Sequence, residues 1–108
     1  MPDHVDDDYE WDIDKSESTY EHLGFDFEFA SQLFETDAYR ERLDEREYGE
    51  ERVLSYGVVE QVHISVVWTQ RGSRKRTISA FLSTKEDIID YEQAFGWDRA
   101  WPFGSSQD

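Results

Sequence analysis

His22 and Lys15 stand seven residues apart in the segment IDKSESTYEHL. In a helix that spacing is about two turns and puts both side chains on one face. An imidazole titrates near neutrality and can serve as a general acid or base; an ammonium beside it can hold a phosphate. The structural reading of the same pair is a histidine at a helix C-terminus and a lysine paired with neighbouring acids. Arg71, Arg74, Lys75 and Arg76 form the one dense cationic cluster, at an expected hairpin tip. It suits RNA phosphates, or acidic groups of the chain itself or of a partner. His63, alone on a strand, reads as structural. His4 with Asp6, Asp7 and Asp8 has the residue types of a metal site, but carboxylates on a floppy terminus bind metal weakly. The chain has no zinc spacing, phosphate loop or serine-nucleophile motif, and no metal or cofactor is expected.

The elements that must hold these residues follow from periodicity and capping. Tyr9–Trp11 fits a short strand, and Asp12 is an N-cap for a helix ending near His22, stopped by Gly24. Its apolar stripe is weak, which predicts a surface helix. Phe27, Ala30, Leu33 and Phe34 mark one face of a second helix, Asp26 to Glu35. A short strand is expected at Tyr39–Leu43, then a turn ending at Tyr48-Gly49. Arg52–Val59, Val62–Thr69 and Arg74–Phe81 read as strands with short links. In the last, alternation groups Arg76, Ile78 and Ala80 on one face. Ser83 with Glu86 reads as a capping box opening a final helix that ends at Gly96. The expected fold class is therefore α+β: an antiparallel meander of about four strands, two N-terminal helices and one C-terminal helix.

Composition narrows the function. The 108 residues suit one domain. The expected organisation is an acidic, disordered lead-in at 1–8, a domain at 9–96 and an aromatic, then polar, tail at 97–108. The absence of cysteine and of any long apolar run points to a cytoplasmic protein with no membrane contact. The net charge is −15, and residues 1–50 hold 18 acids against 4 bases. That half is a poor nucleic-acid surface and would be steered toward basic partners; high-salt solubility is the bland reading.

Tyr9-Glu10-Trp11-Asp12-Ile13-Asp14-Lys15, Gly24 with Phe27 and Ala30, Gly49 to Gly57, Val66 to Arg71 and Arg76-Thr77-Ile78-Ser79-Ala80 together resemble segments of the BrnT family of ribonuclease toxins. Tyr9-Glu10-Trp11-Asp12-Ile13-Asp14-Lys15 is similar to the family's aromatic-x-Trp-Asp-x-x-Lys opening. Gly24, Phe27 and Ala30 fit its next segment, and Gly49-Glu50-Glu51-Arg52 through Gly57 its strand entry. Val66-Val67-Trp68-Thr69-Gln70-Arg71 resembles its third strand, and Arg76-Thr77-Ile78-Ser79-Ala80 its Arg-x-Ile-Ser-Ala. Tyr91-Glu92 falls in its last helix, so the likeness runs over about residues 9–92. The resemblance implies a RelE-like α+β fold, RNA cleavage and neutralisation by a cognate antitoxin. It marks Arg52 and Arg76 as retained cations able to clamp a phosphate, or to balance acids such as Glu50 or Asp12. It marks Lys85 as the base kept in the last helix, and His22 as standing beside the family's histidine position.

The departures bear on catalysis. Thr19 replaces an Asn, His22-Leu23-Gly24 replaces Lys-His-Gly, Phe81 and Leu82 replace basic residues, and Glu86, Ile88 and Ile89 occupy a usually basic helix. Cleavage through an activated 2′-hydroxyl needs cations around the phosphate, and one lost donor costs about a hundredfold. Phe81 and Leu82 are expected to make an apolar surface in the groove instead. Two functions follow. One is a BrnT-like RNA endonuclease with impaired or lost catalysis, with His22, Arg52 and Arg76 as catalytic residues and Lys15, Arg71, Arg74, Lys75 and Lys85 as phosphate contacts. The other is a non-catalytic acidic mimic of nucleic acid, such as a phage-encoded inhibitor seated on a basic nucleic-acid-binding complex.

Overall fold

One mixed sheet of six strands organises the chain, in the order β1-β2-β6-β5-β4-β3. The computed structural model describes residues 2–44 and 49–96. The strands are β1 (Asp3–Val5), β2 (Tyr9–Asp12), β3 (Tyr39–Leu43), β4 (Val53–Val59), β5 (Val62–Arg71) and β6 (Arg74–Leu82). Strands β3 to β6 form the expected antiparallel meander. The four-strand expectation is corrected at the other edge. There β2 runs parallel to β6, with Glu10 opposite Arg76, and β1 pairs antiparallel with β2.

The lead-in expected to be disordered thus supplies an edge strand. Its acids find ordered partners that composition does not reveal, and the His4 ring stacks on Trp11 at 4.3 Å between centroids. The aromatic tail 97–108 and Tyr48 of the expected turn lie outside the described residues.

The helices form where the caps require. Asp12 accepts hydrogen bonds from the Asp14 and Lys15 amides and starts α1 (Ile13–Leu23), which Gly24 ends at φ 86°. Only Ser16 of α1 is buried, in keeping with its weak stripe. Asp26 caps α2 (Phe27–Ser31), shorter than expected because residues 32–35 tighten into a 3₁₀ turn. The α3 helix (Lys85–Phe95) is capped by Thr84 rather than Ser83. The Ser83 hydroxyl is engaged elsewhere, 2.9 Å from the Ser65 hydroxyl.

The two faces of the sheet bury different things. Against α1 and α2, Trp11, Phe27, Ala30, Leu33, Ile64, Val66 and Trp68 form the larger core. Against α3, a smaller cluster gathers Leu54, Tyr56, Val67 and Tyr91. Apolar area removed from water drives both. A bulge opposite Val67/Trp68 corrects the expected alternation in β6. Before it Arg76 faces the α3 side; after it Ala80 enters the larger core while Ile78 and Phe81 pack in the smaller one. Among the described residues, no helix is long and apolar enough to cross a membrane.

Candidate nucleic-acid interface

The face of the sheet that carries α3 is unequally covered. Near β3 and β4, α3 is tied down by Arg42 to Asp87 at 2.6 Å, Arg40 to Asp90 at 2.9 Å, and the Tyr56 hydroxyl to Asp90 at 2.6 Å. The opposite end of the same face carries a polar row. Glu10 on β2 pairs with Arg76 on β6, and Arg76 pairs with Thr69 on β5. The Thr69 hydroxyl in turn donates to the Glu51 carbonyl at 2.8 Å, just before β4. Arg52 directly precedes Val53, the partner of Trp68, so alternation turns it to the same face as Leu54. Arg52 and Arg76 are then two strands apart, about 10 Å at the usual inter-strand spacing. Arg71 and Arg74, opposite one another at the hairpin end, extend the row.

Each of these guanidiniums has an acceptor within the chain. Arg76 Nη1 donates to Glu10 at 2.9 Å and to Asp3 at 3.1 Å, and its Nη2 reaches the second Asp3 oxygen at 3.4 Å. Arg52 and Arg71 share the Glu50 carboxylate, both at 3.2 Å. Desolvation opposes ionisation of Glu50, but the hydrogen bonds from the two arginines outweigh it and hold the carboxyl below its usual value. Arg74 Nε donates to the Asp6 backbone carbonyl at 2.6 Å. The surface can still act on a phosphate, because guanidinium forks match phosphate oxygens as well as carboxylates.

The other expected site residues lie elsewhere. α1 belongs to the opposite layer, where buried Ser16 accepts from the Phe27 amide at 2.9 Å. His22 is exposed there, its Nδ1 2.8 Å from the Ser18 carbonyl. So the expected catalytic grouping of His22 with Arg52 and Arg76 is corrected: the sheet separates His22 and Lys15 from the two arginines. Lys75 also faces the helix layer, its ammonium 4.6 Å from the Trp68 ring centroid and 5.2 Å from that of Phe34. It cannot extend the arginine row, since neighbours in a strand point to opposite faces. Lys85 is exposed at the start of α3. Phe81 and Leu82 diverge for the same reason as Lys75. Phe81 packs beneath α3, and Leu82 projects from the other face, so they do not form one apolar groove.

His63 shares the α3 face but sits by the helix, 3.9 Å from Glu92 and edge-on to Tyr91. Burial lowers its pKa, against the opposing pull of Glu92. The residues sequence reasoning missed are Asp3, Glu10 and Thr69; Glu50 was named as an acid an arginine could balance, and it pairs with Arg52, while Asp12 caps α1 instead. Among the described residues, no three His, Cys, Asp or Glu side chains gather as a metal site.

A family model described as the ribonuclease toxin BrnT of type II toxin–antitoxin systems matches residues 11–87, from β2 into the first turn of α3. No curated protein matches the chain.

Proposed function

The chain belongs to the BrnT family of type II toxin–antitoxin ribonucleases, and from that premise we propose that its RNA-facing surface is the open end of the α3 face, with Arg76 and Arg52 as phosphate-holding residues. The observation that carries this reading is the row Glu10, Arg76, Thr69 and Arg52 on one sheet face. Two cations about 10 Å apart can bracket one phosphodiester, and the Arg76 fork can take its developing charge in cleavage. No imidazole stands in the row. The nearest groups able to accept a 2′-hydroxyl proton are carboxylates such as Glu10 and Glu50, both engaged by arginines, and the two arginines on Glu50 hold it below its usual value, which makes it a weak base. Cleavage is therefore slow. A cognate antitoxin, the partner that type II systems imply, is attracted to the acidic half of the chain rather than to this row.

Expression in a susceptible host tests the reading. Growth arrest with RNA cleavage is expected, and Arg76→Ala should reduce cleavage about a hundredfold. Unaffected growth and intact RNA at high expression would end it. The second reading, a non-catalytic acidic mimic of nucleic acid, draws support from the net charge of −15 and from the carboxylate partners of Arg52, Arg71 and Arg76. It predicts tight, salt-sensitive binding to cationic nucleic-acid-binding complexes and no RNA cleavage.

A further inference from the structure

We infer that the acidic N-terminal strand β1 is a built-in competitor for the RNA phosphate, with the Asp3 carboxylate seated on the Arg76 fork as a phosphate stand-in. This rests on the reading of the α3 face as an RNA surface.

Three observations carry it. Asp3 meets both terminal nitrogens of Arg76, at 3.1 and 3.4 Å. That bidentate arrangement is the one a phosphate would take. The two acids on Arg76 also differ in kind. Glu10 is fixed opposite Arg76 by strand register and its side chain is 15% exposed, whereas the Asp3 side chain is 40% exposed. Glu10 is a permanent partner and Asp3 a displaceable one. The rest of the lead-in follows the same course along β6. The Asp6 carbonyl takes Arg74 Nε, and the Asp8 carbonyl takes the Lys75 amide at 2.9 Å.

Residues 3–8 therefore occupy the outer edge of the basic cluster. Besides Arg76 and Arg74, β1 and its turn are held by a three-residue ladder to β2, the His4–Trp11 stack, the Ile13 amide to the Pro2 carbonyl and the Asp6 amide to the Tyr9 carbonyl. A short edge strand of this kind opens at low cost compared with the core. RNA and β1 then compete for one guanidinium. The acidic strand sets a threshold that RNA must overcome, which keeps the resting protein poorly bound to nucleic acid.

The test uses the full-length chain and a fluorescent 2′-O-methyl oligoribonucleotide, which presents phosphodiesters but no 2′-hydroxyl to cleave. Anisotropy at low salt gives affinities for the wild type, Asp3→Asn, Arg76→Ala and the double variant, each checked for folding by circular dichroism. Asp14→Asn on α1 removes the same charge from the other layer.

Asp3→Asn should tighten binding about three- to fivefold, the size of a surface ion pair. The gain should vanish in the Arg76→Ala background, and Asp14→Asn should leave affinity within about twofold. Wild-type binding that Asp3→Asn leaves unchanged would overturn the competitor and spare the RNA surface. An equal gain from Asp14→Asn, or a gain that persists without Arg76, would also overturn it by showing a general charge effect. No binding by any variant would overturn the RNA surface and the competitor together.

Discussion

Arg76 carries two carboxylates on one guanidinium, and Glu50 carries two guanidiniums on one carboxylate. At the residue scale, charge is thus distributed so that no cation of the row relies on solvent alone. Arg76→Lys is expected to keep the charge but lose the fork, and with it most of the oligonucleotide affinity that Arg76→Ala loses; anisotropy with the same probe checks this. His63 gives a second residue-scale prediction. Its folded pKa lies below the ordinary 6.5 because burial outweighs Glu92. The unfolded chain therefore binds more protons between the two values. The stability His63 contributes is present above about pH 6.5 and is lost as pH falls through the folded value. Urea midpoints at pH 7.5 and 5.5 should show a loss for the wild type relative to His63→Gln, whose midpoint lacks this contribution.

Elements obey local rules where caps and turns are concerned, and strain shows where they do not. The β4–β5 turn places Glu60 at φ 49° and Gln61 at φ 71°. Both are in the left-handed region that a two-residue hairpin demands and that Asn-Gly fills at less cost. Replacing Glu60-Gln61 with Asn-Gly should stabilise the protein by about 1 kcal/mol, read as a higher thermal midpoint. Gly57 behaves oppositely. A Cβ there would lie 2.8 Å from Leu33 Cδ1 and 3.2 Å from the Ala38 carbonyl. Gly57→Ala must push the 3₁₀ turn off β4, so destabilisation of roughly 1–3 kcal/mol is expected. The cap at Asp12 and the stop at Gly24 were legible from residue type. The shift from Ser83 to Thr84 was not, because the Ser65 hydroxyl that engages Ser83 is 18 residues away in sequence.

Across the whole molecule, 26 acids and 11 Lys and Arg leave a net charge of −15, which opposes compaction. Raising salt from about 0.05 to 0.5 M shortens the screening length from above to well below 10 Å. The thermal midpoint should rise over that range, while association with a basic partner should slow. A midpoint that falls instead would mean that the ion pairs holding α3 outweigh long-range repulsion. This is also the scale at which the nuclease reading narrowed. His22 and Lys15 share a helical face, as spacing required, yet the sheet stands between them and the arginine row.

Residue order alone determined the kinship with BrnT toxins, the meander of β3 to β6, the helix starts at Asp12 and Asp26, and the placement of Arg71 to Arg76 around one hairpin. These depend on periodicity, capping and turn chemistry, which act over a few residues. Tertiary structure decided that the acidic lead-in is a strand, that β2 lies parallel to β6, that a bulge moves Ala80 off the Arg76 face, and that Asp3 and Glu10 meet Arg76. The β2–β6 pairing and the Asp3 and Glu10 contacts to Arg76 join segments more than 60 residues apart. Their energies depend on which backbone edges and charges come into contact after the chain has folded, and no local pattern encodes that.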